Sequence, residues 1–162
     1  MKKLHRLREH LVAAVPGLDR DPDRLLTFVE EGSIEFRRGR DLTHEYRFVA
    51  QLVLTDFTGD LDTVMLPLLQ WLAEYQPDLD PGEALTFEAE ILANRAVDLG
   101  MRIPLTERVI ARVDCDTGMI QAEHSLPHFP SHTCMATNWQ LLVRENTDQE
   151  WSLAAEWDAP RG

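Results

Sequence analysis

Cysteine is scarce in this chain: two residues, Cys115 and Cys134, stand in separate segments, and no CxxC occurs. That pair cannot build a disulfide framework or a four-cysteine zinc module, so both read as small packing residues or spectators. Long apolar runs are also missing; none approaches the roughly 18 residues of a membrane-crossing helix. The start, Met1-Lys2-Lys3-Leu4-His5-Arg6, is basic like a secretory leader, yet Arg8, Glu9 and His10 break the apolar stretch that should follow. The expected location is therefore the cytoplasm in which the chain is made. Cations are outnumbered: 16 Lys and Arg against 28 Asp and Glu leave a formal net charge of −12. Such a balance argues against wrapping a nucleic-acid backbone, which needs a basic face, and favours solubility of the free subunit. Catalytic signatures are lacking too. There is no G-x-S-x-G, no Gly-rich phosphate loop and no H-E-x-x-H, and Cys115 lies between Asp114 and Asp116, whose charge opposes a nucleophilic thiolate. No catalytic residue and no cofactor-binding residue is assigned, and no cofactor is expected.

What is present is enough for one domain with a real core over residues 1–162. Leu4, Leu7, Leu11, Val12 and Val15 recur at helical spacing, with Lys3, Arg6, Glu9 and His10 on the other face; Pro16-Gly17 ends that helix. In 24–38, Leu26, Phe28 and Ile34, Phe36 flank Glu30-Glu31-Gly32-Ser33, which predicts a hairpin turning at the glycine, with a short helix from Asp21-Pro22 as the competing reading. Tyr46, Phe48, Ala50, Leu52 and Leu54 alternate as a strand. Its second face also becomes apolar, predicting an interior strand covered on both sides. A helix over about Asp62–Tyr75 should turn Leu61, Met65, Leu68, Leu69, Leu72 and Tyr75 inward, with Pro67 either near its start or kinking it, and Gln76-Pro77-Asp78 closing it. The remainder alternates as strands: 85–91, 97–105 and 109–113 with turns at Asn94-Arg95 and Thr106-Glu107, then 138–144 and 151–157 joined through Asn146-Thr147-Asp148. Residues 123–137, rich in His and Pro, read as a loop. The expected fold class is α+β: a single domain with a mainly antiparallel β-sheet packed with two principal helices.

Three constellations invite chemistry. His124, His128, His132 and Cys134 form H-x3-H-x3-H-x-C, suited to zinc by ligand type, but Pro127 and Pro130 break the helix that would align the histidines. A His-bearing surface loop is the preferred reading, so no metal residue is assigned; a metal-dependent enzyme remains the alternative. Asp56, Asp60 and Asp62 in Thr55-Asp56-Phe57-Thr58-Gly59-Asp60-Leu61-Asp62 occupy a strand-to-helix corner. Capping carboxylates and a turn glycine explain them there better than a calcium loop, whose pattern they lack. Arg37-Arg38-Gly39-Arg40 is a short basic patch, a solvated turn or a protein interface before it is a nucleic-acid site. The four tryptophans read equally as core and as interface anchors.

The order of Asp56-Phe57-Thr58-Gly59-Asp60, Pro67-Leu68-Leu69-Gln70-Trp71-Leu72 and Gln76-Pro77-Asp78 resembles the tail completion protein R family of P2-like contractile-tailed phages. There a D-F-T-G-D corner precedes a P-x-L-x-W-L helix and a Q-P-D exit. Phe28-Val29-Glu30-Glu31-Gly32-Ser33-Ile34 is similar to its F-V-D-x-G-S-I segment, and Leu105-Thr106-Glu107-Arg108 to its L-T-E-R strand start. The resemblance covers residues 4–113 and leaves the His-rich loop and the C-terminal segment outside it. It implies virion assembly: a tail-terminator-like subunit forming a homo-oligomeric ring, a hexamer by the sixfold symmetry of contractile tails, at the head-proximal end. Partners would be tail tube and sheath proteins and neck or head-completion proteins, with no specific nucleic acid and no membrane, in a phage tail or a headless tailocin. The interface candidates are Asp56, Phe57, Thr58, Gly59, Asp60 and Asp62 at the corner, with Arg37, Arg38 and Arg40; Trp71 is expected to anchor the helix behind the corner. A non-virion adaptor domain is the remaining alternative.

Overall fold

The structure is a computed structural model. It describes every residue except 40, 81, 83, 84, 93, 94, 127, 128, 130–133, 161 and 162. Helix α1 (Lys2–Ala14) leads, through a 3-10 turn at Pro22–Arg24, into β1 (Leu25–Phe36) and β2 (His44–Phe57). Helix α2 (Asp62–Tyr75), β3 (Thr86–Ile91), β4 (Val97–Asp114) and β5 (Met119–Ser125) follow, and a hairpin of β6 (Asn138–Val143) and β7 (Ser152–Asp158) closes the order. The expected α+β domain, mainly antiparallel with two helices, is what forms. The main sheet runs β1-β2-β4-β3, with β5 pairing the far half of β4, and it curls into a half-barrel around α1 and α2.

The core follows from periodicity. Leu4, Leu7 and Leu11 of α1 and Val64, Leu68, Trp71, Leu72 and Tyr75 of α2 pack against Phe48, Ala50, Leu52, Leu54, Leu99, Met101, Ile103 and Leu105, alternate residues of β2 and β4. Trp71 is buried and stacks on Tyr75 at 4.9 Å between centroids, the anchor role expected of it. Leu69 is not in the core; it lies about half exposed beside the exposed Leu66, because the buried face follows Val64, Leu68, Trp71 and Tyr75. Pro67 sits inside α2 on the buried side and not at its first turn. His10 Nε2–H donates to the Pro67 carbonyl at 3.2 Å, tying the two helices together.

Four expectations need correction. The hairpin predicted within 24–38 does not form. The segment is one strand paired with β2 from Leu25↔Leu54 to Phe36↔His44, broken only by a bulge between Val29 and Glu31. The extra residue reverses the alternation. Leu26 and Phe28 stand opposite Val53 and Gln51 on the outer face, whereas Ile34 and Phe36 stand opposite Tyr46 and His44 on the helix-bearing face. The chain turns between Phe36 and His44 instead. The competing helix at Asp21-Pro22 is realised only as the one 3-10 turn.

Second, β2 is interior, between β1 and β4, but only one of its faces is covered. Both helices lie on that side, and Val49, Gln51 and Val53 on the other face keep intermediate exposure. Third, Thr106-Glu107 is no turn, since β4 is continuous. Strand β3 pairs β4 only up to Arg102 and β5 only from Arg108 onward, leaving 103–107 without a strand on that side. Backbone N–H groups alternate in direction, so Pro104 and Thr106 face this gap together. Proline has no N–H to leave unpaired, and the Thr106 amide finds Gln76 Oε1 at 3.2 Å. Fourth, 123–137 is not all loop: β5 carries strand structure through Ser125. The cysteines are exposed, so neither is a packing residue. Of the other expected turns, Arg95 adopts φ 66 and donates its amide to Leu92 O at 3.0 Å, while Asn94 lies outside the described residues.

Candidate functional site

Three of the segments that carry the sequence resemblance, around 31–33, 76–78 and 105–107, meet in space, and buried polar groups join the last two. Glu107 lies 1% exposed on the helix-bearing face of β4. Its carboxylate accepts the α1 amides of Lys2 at 3.1 Å and Lys3 at 2.8 Å and takes a short hydrogen bond from His124 Nδ1 on β5. A helix N-terminus presents unpaired N–H groups and a positive dipole end, and a carboxylate satisfies both. Burial by itself would push the Glu107 pKa up. The Lys3 and Lys2 amides, then His124, together outweigh it, and the carboxyl titrates below its ordinary value.

The opposite pairing closes α2. Lys3 Nζ, buried, donates to Tyr75 O at 3.0 Å and Gln76 Oε1 at 2.8 Å, a cation on the carbonyl end of a helix. Burial holds the Lys3 pKa below its ordinary value, opposed by the nearby charges of Asp78, Glu107 and Glu45. Gln76 Nε2 then donates to Asp78 Oδ1 at 2.8 Å and Thr106 Oγ1 at 2.9 Å. Gln76 and Asp78 thus hold Thr106, and its neighbour Glu107 holds α1. Gly32, Ser33, Phe48, Gln76, Asp78 and Thr106 line one shallow depression of about 490 Å³ here.

At the 56–62 corner, Asp56 has φ 53, a left-handed conformation that Asp tolerates, and its amide donates to Asp98 Oδ1 at 2.8 Å. Arg24 braces the bend, donating to Thr55 O at 3.0 and 2.9 Å and to Asp56 O. Gly59 is required by space and not by φ: a Cβ there would lie 2.7 Å from Phe57 Cζ. Asp60 starts α2, its Oδ1 accepting the Asp62 amide at 2.9 Å and its carbonyl the Thr63 hydroxyl at 2.6 Å. Asp56, Thr58, Gly59, Asp60 and Asp62 are exposed; Phe57 is buried and belongs to the core.

Arg37 and Arg38 are exposed in the β1–β2 turn, at the opposite end of β2 from the corner. The structure therefore separates the two groups of candidate residues by the length of that strand, roughly 40 Å at 3.3 Å per residue. Arg40 lies outside the described residues. So do His128 and His132, while His124 is engaged by Glu107. Among the described residues no group of three His, Cys, Asp or Glu is placed to hold a metal ion. Nor is any helix there long and apolar enough to cross a membrane.

Sequence reasoning missed Lys3, Gln76, Thr106 and Glu107 as a linked set. A Lys on the helix face next to Leu4 and Leu7, and a Glu at an apolar-phase position between Leu105 and Val109, were the available signals. It also missed the seat of the β6–β7 hairpin, where Ala155 and Trp157 pack on Ala14 of α1 and Trp157 Nε1 donates to Gln70 Oε1 at 2.7 Å.

Comparison with known proteins agrees with these motifs. The family model for the P2 phage tail completion protein R matches residues 1–128, leaving the β6–β7 hairpin beyond it. Tail completion protein R of Escherichia phage P2 is 39% identical over 120 residues, covering 70% of this chain and 77% of that protein. No solved structure matches. With the match spanning every one of these motif segments, the chain belongs to the P2 phage tail completion protein R family, structural proteins that act in completing the phage tail.

Proposed function

We propose that this protein completes the tail as a terminator: a closed homo-oligomeric ring, a hexamer, that caps the tube and sheath at the head-proximal end and receives the neck or head-completion proteins. It acts there as a structural subunit and not as an enzyme. The observation that carries the reading is family membership over residues 1–128. Supporting it, Gln76, Thr106 and Glu107 within the motifs are spent on holding the helices to the sheet, as a subunit built for contacts requires. A ring needs two different complementary faces on each copy.

Assembly takes place in the host cytoplasm, on tails of a phage or a headless tailocin. The net charge of −12 keeps the free subunit apart until it meets a tail. Acidic positions such as Asp78, Asp80, Glu88 and Glu90, all exposed, would repel phosphate and let DNA pass without lodging.

Imaging of purified tails tests the reading directly. Tails from cells producing this protein should end in a symmetric layer of it at the head-proximal side, and tails from cells lacking it should lack that layer and fail to join heads. Complete tails with no such layer would refute it.

A further inference from the structure

The main sheet outruns the helices that cover it. On the helix-bearing face, Glu107, which caps α1, and beyond it Val109 and Ala111 of β4 are still buried, but the strand positions beside and past them are not. Ile34 and Phe36 of β1 and Val113 and Ile120 of the β4–β5 pair all point to that face by register, yet they are 56%, 66%, 36% and 58% exposed. Leu42, in the turn, is exposed beside them. Strand ends bearing large apolar residues on the core side are not solvent faces by composition; they read as core that lacks its second layer. Arg37 and Arg38 follow Phe36 directly, and neither makes an ion pair among the described residues.

The other end of the same chain offers a layer of matching character. Asp62, Leu66, Leu69 and Ala73 lie at i, i+4, i+7 and i+11 along α2, and all four are exposed, so they form one helical stripe. It is apolar along its length and acidic where it begins, with Asp60 and Asp62 at the corner and Asp56 and Asp98 next to it. The shelf carries Arg37 and Arg38 at its β1–β2 end, with Asp41 nearby, and Asp114 and Asp116 at its β4–β5 end, so an apolar helix stripe with an aspartate head matches it in hydrophobicity and, at the arginine end, in charge. They lie at opposite ends of β2, so one copy cannot satisfy itself.

We infer that the α2 stripe and aspartate corner of one copy seat on the Ile34–Phe36–Val113–Ile120 shelf of a second copy, with Asp60 and Asp62 facing Arg37 and Arg38. The occupant of each bare face is thus the next subunit, and the contact is heterologous, as ring closure requires. This names the faces of the ring proposed above and rests on that reading. It also gives one purpose to the two groups of residues that sequence analysis singled out separately.

Charge reversal decides it. Arg37→Glu with Arg38→Glu should lower occupancy of the tail-end layer at least about tenfold, because like charges then oppose one another. Asp62→Arg should do the same; its carboxylate has no described side-chain bond to lose, and a cation in the first turn of α2 should cost only about 0.3–1 kcal/mol. Thermal unfolding of each purified variant, lowered by no more than that, verifies that the fold is kept. Combining the reversals in one chain should restore the layer, since every contact then has opposite charges again. A layer that survives either reversal, or that the combined variant fails to restore, overturns this contact while leaving the ring standing. Absence of any layer with the unaltered chain removes the ring and this contact together.

Discussion

The Lys3 amide and the Glu107 carboxylate meet at 2.8 Å inside the protein, while the Lys3 ammonium reaches past them to the Tyr75 carbonyl at 3.0 Å. One residue at the start of α1 therefore receives an anion on its backbone and delivers a cation to the far end of α2. Each helix end that would otherwise bury unpaired groups is closed by the charge its dipole favours.

Replacing Glu107 with Gln removes more than charge. An amide offers one acceptor oxygen to two N–H groups and presents its own donors to the rest. The expected cost is about 3 kcal/mol, from a buried charged acceptor lost to several donors. Urea denaturation measures it, and a loss well under 1 kcal/mol would show that the latch is not structural.

Acid should weaken the fold in two stages. His10 titrates below its ordinary value because burial disfavours the imidazolium, with the Pro67 carbonyl opposing the effect. The folded chain holds His10 neutral, so the stability tied to it is complete above an unfolded value of about 6.5 and falls as pH drops through the folded value. Glu107 also titrates low. Its contribution is complete above about 4.3 and is lost as pH falls further, through the folded value. Denaturation midpoints taken between about pH 7 and 3 should therefore decline throughout. His10→Gln should remove the upper stage and Glu107→Gln the lower.

At the corner, the tight approach of Gly59 to the Phe57 ring sets the outcome. Gly59→Ala should cost about 1–3 kcal/mol as the buried ring is forced aside, and Gly59→Val more. Asp56→Asn should be close to neutral, since Asn accepts the left-handed backbone, whereas Asp56→Val should cost about 1–2 kcal/mol. Thermal unfolding of the four variants ranks them, and equal behaviour of Asn and Val would contradict the backbone account.

The β6–β7 hairpin is held by little apolar surface and by the Trp157–Gln70 hydrogen bond. Trp157→Phe should cost about 1 kcal/mol and raise hydrogen exchange in 138–158 while leaving β2 and β4 protected. Uniform deprotection of the whole chain would show that the hairpin is part of one cooperative core.

Much of this fold was legible because its signals are local. Leu4, Leu7 and Leu11 announce α1, and Tyr46 to Leu54 announce β2, by spacing alone. What was not legible depended on partners far along the chain. Nothing near Glu30 marks a bulge, because a bulge is defined against β2, and without it Leu26–Phe28 and Ile34–Phe36 look like two arms of a hairpin. Glu107 reads as a turn residue until α1, distant in sequence, supplies the amides that bury it. The corner was placed correctly by its residue types, but Gly59 was given to the turn when Phe57 is what excludes a side chain. The Arg37–Arg38 patch and the aspartate corner were each visible; only the sheet showed that they face opposite ways.

The latch also sets an order of events for a nascent chain. α1 precedes the strands in the chain, yet the carboxylate that closes its N-terminus stands 104 positions after Lys3, in the strand that must also align with β2. An isolated helix of 13 residues is marginal in water, so the opening segment flickers between states until β4 arrives. Loop closure over that span makes this a late, non-local event. The helix that precedes every strand of this sheet is thus closed only once β4 is in place.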